Sequence, residues 1–285
     1  MGELRVAVTG TGGYIGGRAA AVLSGRGHAV LAWDRRVADV GELDQVRATV
    51  LAFRPDVVVH SAAMSDPGRC AREPGAARRS NVIGTANIAT ACREQGCRLV
   101  FLSTDYVFDG QAGEPYTESH PVCPRWDVYG DSKIQGEALV RAIVPEHHIL
   151  RLTWQFGPPD EPGLPPGGGW WAHVTAAARA ARPILVTAGE RRTITNVYDT
   201  IDVIGTACDV RIPYGTYHVV GETDLDWLGV TRAMLSALGA PTDLAGERRA
   251  PSQPADRRLA GTLLPLTGQP ALTLDAGIAR ALAAR

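Results

Sequence analysis

Lysine is nearly missing from this chain. Of 29 basic residues among 285, one is a lysine, Lys133, and 28 are arginines. An excess of charge of either sign is missing too. The 30 acidic residues leave a net charge of −1, which argues against a binder of nucleic acid or of an anionic membrane surface. The five cysteines (Cys70, Cys92, Cys97, Cys123, Cys208) are odd in number and form no C-x-x-C pair. Neither a disulfide framework nor a metal site is expected, and reduced thiols fit the cytoplasm. No apolar run reaches the ~18 residues of a membrane-spanning helix. Near the N-terminus no charged n-region is followed by a long apolar run, since Val6-Ala7-Val8 stops at Gly10, so no secretory signal is expected. What remains is an ordinary globular composition, 45% hydrophobic and 21% charged, with ample length for a buried core.

Short apolar runs alternate with longer helical patterns. Strands are expected at Leu4–Val8, Ala29–Trp33, Val57–His60, Leu99–Ser103, Ile149–Leu152, Ile184–Thr187 and Tyr217–Val220. Helices are expected over Tyr14–Arg26 (closed by Gly27), Leu43–Phe53, Gly75–Gln95, Asp131–Ile143, Trp170–Ala181, Trp227–Leu238 and Leu274–Ala284. The β-α-β alternation predicts an α/β fold with a Rossmann-type, doubly wound parallel sheet. Ten of the thirteen residues from Gly157 to Gly169 are Gly or Pro, the mark of a long binding loop or lid.

The first strand runs into Thr9-Gly10-Thr11-Gly12-Gly13-Tyr14-Ile15-Gly16. Gly10, Gly13 and Gly16 suit a tight turn, close backbone approach to a pyrophosphate, and close packing of helix on sheet. The following helix start offers N–H groups and a positive dipole end to phosphate. Asp34, 18 residues past Gly16 at the end of the next strand, is placed to accept hydrogen bonds from a ribose. Its carboxylate favours NAD, while Arg35 and Arg36 directly after it keep NADP open. Asp39 is either near the adenine or an acid of a surface loop.

Tyr129 and Lys133 are four apart at the start of an expected helix, which puts both on one face. With 7 tyrosines in 285 residues, a lone lysine falls four after a tyrosine by chance about once in forty. A phenol titrates near ~10, and a neighbouring ammonium lowers that value toward the range of a useful acid or base. Ser103-Thr104 stands at the carboxyl end of an expected strand, where open α/β sheets bind ligands. A hydroxyl there can hydrogen-bond a carbonyl as charge develops on it.

The glycine pattern, Asn81-Val82-Ile83-Gly84-Thr85-Ala86-Asn87, the segment Ser103–Gly110 and Tyr129-Gly130-Asp131-Ser132-Lys133 together resemble the extended short-chain dehydrogenase/reductase family. Ser103-Thr104-Asp105-Tyr106-Val107-Phe108-Asp109-Gly110 is most similar to the group of dTDP-4-dehydrorhamnose reductases, which reduce a nucleotide-linked 4-keto-6-deoxysugar. Arg151–Trp154 and Thr195–Asp199 resemble later segments of that group. The resemblance implies an NAD(P)-binding domain over 1–155, with returns near 183–210, and a discontinuous, mainly C-terminal substrate domain over 156–285. It implies that Thr104 holds the substrate carbonyl, that Tyr129 donates the proton, and that Lys133 tunes Tyr129 and binds the nicotinamide ribose. Tyr14, Ile15, Ala62, Ala63 and Asn81 would line the cofactor; Ser65, Tyr106 and Trp154 would face the sugar. A nucleotide sugar is then the small-molecule partner, and a homodimer is open.

Tyr14-Ile15 departs from the Gln-Leu usual in that group and looks more like the sugar epimerases. Tyr106 stands where related dehydratases carry Glu, which disfavours elimination chemistry. An epimerase or dehydratase of the same family, and a non-catalytic cofactor-binding subunit, are the competing readings.

Overall fold

The structure, a computed structural model, describes residues 2–123, 127–158, 160–248, 256–261 and 272–283. The chain forms two compact units. The first comprises Met1–Phe108, Pro121–Arg151 and Ile201–Tyr217; the second comprises Asp109–His120, Leu152–Thr200 and His218–Arg285.

In the first unit β1 (Arg5–Thr9), α1 (Tyr14–Gly25), β2 (Ala29–Trp33), α2 (Leu43–Phe53) and β3 (Val57–His60) follow one another as expected. β1 pairs in parallel with β2 and with β3. Val6–Val8 and Val57–Val59 are buried throughout, as suits central strands covered on both faces. The expected helix over 75–95 is divided. α3 (Pro67–Arg72) precedes it, and the span itself becomes the end of α4 (Pro74–Arg78), a π-turn over Arg79–Ile83, and α5 (Gly84–Gln95). Prolines open both α3 and α4, a position where the missing N–H costs nothing. The π-turn carries Asn81 into the interior.

β4 (Arg98–Thr104) pairs in parallel with β3. The long helix α6 (Val128–Ile143) starts three residues before the expected Asp131, so Tyr129 lies in its first turn. With β5 (His147–Leu152) and, much later, β10 (Gly215–Val219), the sheet has the order β10-β5-β4-β3-β1-β2. The order reverses between β1 and β3, the crevice where doubly wound sheets bind ligands. Ala7, Trp33, Val46, Val58, Ile88, Leu99, Phe101 and Ile149 share one core cluster.

The second unit contains β6 (Trp154–Phe156), α7 (Gly169–Arg179), β7 (Ile184–Thr187), β8 (Arg191–Arg192), β9 (Ile194–Asn196), the first residues of α8 (Val197–Cys208), α9 (Trp227–Ala237), β11 (Ala245–Arg248), β12 (Asp256–Arg257) and α10 (Leu274–Ala283). Its core gathers Phe156, Trp171, Ile184, Trp227, Met234 and Ile278. Ile184–Thr187 is a strand, but it does not return to the large sheet. It pairs with β11 inside the second unit. A short continuous apolar run is consistent with a strand but leaves its partner open. The return to the first unit runs from Ile201 to Tyr217. Among the described residues no helix is long and apolar enough to cross a membrane.

Candidate active site

At the β1–α1 turn, Gly10 has φ +72°, and a Cβ there would lie 2.7 Å from the backbone of Ala62 at the exit of β3. Glycine is required on both counts. A Cβ on Gly16 would collide with the Gly10 carbonyl. Gly13 donates its N–H to that carbonyl at 2.9 Å and caps α1 without any side-chain hydrogen bond. No acidic residue occupies the first turn of α1. A helix start with no side-chain cap, cradled by glycines that no Cβ may fill, fits an anion such as a pyrophosphate. Tyr14 and Ile15 are half-buried at this start, and the guanidinium of the fully buried Arg18 lies 4.0 Å over the Tyr14 ring.

Asp34 follows β2 directly. Its carboxylate accepts the Arg36 N–H at 2.8 Å and Arg36 Nε at 2.9 Å. The hydrogen bonds from Arg36 hold the Asp34 carboxyl below its ordinary value. Arg35 is exposed. Asp39 closes a local turn onto the Gly41 N–H at 2.8 Å and pairs with Arg79 at 2.9 Å. One of its oxygens therefore closes the loop that follows β2, and the other ties that loop to Arg79 of the π-turn.

Ala62 and Ala63 are half-buried and Ser65 is exposed on the segment leaving β3. Asn81 is fully buried and clamps that segment. Its Oδ1 accepts the Met64 N–H at 2.8 Å, and its Nδ2 donates to the Met64 carbonyl at 3.0 Å and to Ser132 Oγ at 2.9 Å.

Thr104 ends β4 and Tyr129 begins α6, where Asp127 accepts the Tyr129 N–H at 2.9 Å and seats the helix. The Thr104 hydroxyl donates to Asp105 Oδ1 at 3.1 Å and accepts the Tyr106 N–H at 3.3 Å, and Tyr106 packs edge-on against the Tyr129 ring with centroids 5.6 Å apart. Burial pushes the phenol above its ordinary value, opposed by the nearby Thr104 hydroxyl. The lowering expected from a neighbouring ammonium is not found: Lys133 does not shift the phenol, and desolvation sets the direction. Lys133 is 2% exposed with Nζ 4.0 Å from the Phe101 ring centre. Burial pulls its ammonium down to about 7, against the attraction of Glu137. The end of β4 and the start of α6 thus bring Thr104, Tyr106 and Tyr129 together, with Lys133 buried one turn further along α6. Trp154 belongs to the second unit. There it packs edge-on against Trp227 at 5.2 Å, with the Arg192 guanidinium 5.2 Å over its ring.

Two groups were missed in the sequence. Glu137, one turn beyond Lys133, has no exposed surface. It binds Arg151 twice, at 2.9 and 2.8 Å, Ser103 Oγ at 2.6 Å and Arg141 at 2.7 Å. These partners overcome burial and hold its carboxyl below its ordinary value. Its signal was the continuation of the Tyr129–Lys133 spacing by four. His60, at the end of β3, is the other; its ring nitrogens lie 2.8 Å from Thr9 Oγ1 and 3.1 Å from Thr85 Oγ1. It carried no sequence signal beyond its place at a strand end.

Comparison with known proteins gives a consistent result. Residues 4–264 match the family model described as RmlD substrate binding domain. A dTDP-4-dehydrorhamnose reductase from Streptomyces griseus is 33% identical over 238 residues, covering 82% of this chain and 76% of that protein. A dTDP-4-keto-6-deoxy-D-glucose reductase from Streptomyces niveus is 38% identical over 151 residues, 53% of this chain and 52% of that one. Among solved structures, dTDP-4-dehydrorhamnose reductase from Bacillus anthracis in complex with NADP superposes with a TM-score of 0.88 at 25% identity, covering 100% of both chains. The Bordetella bronchiseptica enzyme WbmH in complex with NAD+ shares the fold, with a TM-score of 0.83 at 21% identity over 99% of this chain and 98% of that one.

Proposed function

The chain belongs to the RmlD substrate binding domain family, and from that premise we propose that it is an NAD(P)H-dependent reductase of a nucleotide-linked 4-keto-6-deoxysugar. The observation that carries this reading is the buried Thr104–Tyr129–Lys133 set, standing on the same sheet as a glycine cradle and the Asp34 carboxylate.

Gly10, Gly13, Gly16 and the N-terminus of α1 would hold the cofactor's pyrophosphate, and Asp34 its adenosine ribose. Tyr14, Ile15, Ala62, Ala63 and Asn81 would flank it, and Lys133 would reach the nicotinamide ribose. When bound, the cofactor supplies a hydride to the carbonyl carbon. The Thr104 hydroxyl orients the carbonyl oxygen, and Tyr129 gives that oxygen its proton. A phenol whose value is raised by burial stays protonated until an oxygen more basic than phenolate develops beside it. Lys133, when charged, offsets the phenolate left behind. Ser65 and Tyr106 would contact the sugar. Asp34 with Arg36 on its carboxylate is compatible with either NADH or NADPH.

Incubation with a dTDP-4-keto-6-deoxyhexose tests the proposal. Each sugar reduced should consume one equivalent of NADPH or NADH. Conversion of the sugar with no net consumption would assign an epimerase instead, and loss of water from a dTDP-hexose with no net consumption a dehydratase. Tight cofactor binding without any turnover would favour a regulatory subunit.

A further inference from the structure

A continuous buried hydrogen-bond chain links the phosphate turn to the helix of Tyr129, and its polarity follows from donor counting. Thr9 Oγ1 accepts the N–H groups of Ser61 and Ala62, each at 3.1 Å. With both lone pairs engaged, its one proton points to His60 Nδ1, 2.8 Å away. At the other side of the ring, Thr85 gives its proton to the Asn81 carbonyl at 2.7 Å. Its oxygen is therefore left to accept from His60 Nε2 at 3.1 Å. The two ends independently demand the same ring: neutral, bare at Nδ1 and protonated at Nε2. From Asn81 the chain passes through Nδ2 to Ser132 Oγ, which donates to the Tyr129 carbonyl at 2.7 Å.

We propose that His60, as the neutral Nε2–H tautomer, is a positioning residue that gives this chain one direction, fixing the β3 exit segment and the Tyr129 helix relative to the phosphate turn. It acts through Thr9, which holds Ser61 and Ala62, and through Thr85 and Asn81, which hold Met64 next to Ser65. Phe101 stacks on the imidazole with centroids 5.8 Å apart and carries Lys133 Nζ on its ring. An imidazolium at His60 would place a second cation beside Lys133 and reverse one hydrogen bond of the chain. Burial, together with the Lys133 charge, opposes that state and holds the imidazole down to about 3.

The catalytic part of this inference rests on the reductase reading; the tautomer does not, which separates the two failures. Nitrogen NMR of histidine-labelled full-length protein should find His60 neutral and protonated at Nε2 from pH 8 down to about 5. An Nδ1–H ring, or an imidazolium forming in that range, overturns the proposal whether or not the protein turns over. In the reductase assay, Thr85→Val keeps the side-chain shape but removes the hydroxyl. It should lower kcat about tenfold with the cofactor KM within about twofold, and Thr85→Ser should restore kcat to within about twofold. Equal kcat for the Val and Ser variants, or a change confined to KM, overturns the positioning role. If the Val variant does not fold, the Ser variant and the wild-type imidazole spectrum still decide.

Discussion

Replacing Lys133 by Met should stabilise the protein while removing its activity. The ammonium has an ordinary value of 10.5 and is held at about 7 by burial. Each pH unit of that difference is worth about 1.4 kcal/mol, so the charge costs the fold up to about 4 kcal/mol at pH 7. Met is similar in length and carries no charge to desolvate, but it gives up the contact of Nζ with Phe101, so a gain of about 1–4 kcal/mol is expected. The pH dependence has a definite sign. Between about 7 and 10.5 the unfolded chain holds a proton that the native chain has released. The Lys133 contribution to stability therefore rises with pH across that window, and its full penalty applies below it. Thermal unfolding of both proteins at pH 6.5 and at pH 9.5 checks this, since other titrating groups cancel in the difference. The variant should melt at least about 2 °C higher at pH 6.5, with the gap narrowing at pH 9.5. A variant that melts lower at pH 6.5, or a gap that does not narrow, would refute the reasoning.

Tyr129→Phe should retain cofactor affinity by fluorescence titration and lose about 10²–10⁴ of kcat; a rate near wild type would remove Tyr129 from the proton transfer. Arg36→Ala should raise KM for NADPH about tenfold and leave that for NADH within about twofold, because the guanidinium held beside Asp34 is the group available to a 2′-phosphate. Steady-state kinetics with both cofactors reads this directly. Glu137→Gln should cost about 3–5 kcal/mol in denaturant unfolding, since it strips the buried Arg151 of its carboxylate. An unchanged midpoint would mean that a neutral amide oxygen accepting from Arg151 serves as well as the carboxylate.

Much of this architecture was legible in the chain. β2, α2 and β3 stand at their expected boundaries because each has one dominant period and clear punctuation. Tyr129 and Lys133 lie on one helix and Thr104 at a strand end as expected, because spacing and strand-end position are local properties. Three things were not legible, for different reasons. The strand Ile184–Thr187 was recognised but assigned to the wrong sheet, since backbone propensity carries no information about pairing partners. The division of 75–95 depends on a π-turn that buries Asn81, which a helical period averages away. The roles of His60 and Glu137 arise from partners such as Thr85, Ser103 and Arg151. Those partners are distant in sequence, and the contacts exist only once the sheet has formed.

The central claim is net hydride transfer onto the sugar. The most direct measurement uses NADPH deuterated at the transferring position of nicotinamide C4, incubated with a dTDP-4-keto-6-deoxyhexose, with the product hexose analysed by mass spectrometry and NMR. One deuterium at sugar C4 is expected for every NADP+ formed. A sugar product without deuterium, or deuterated cofactor recovered intact after the sugar has been converted, would contradict it.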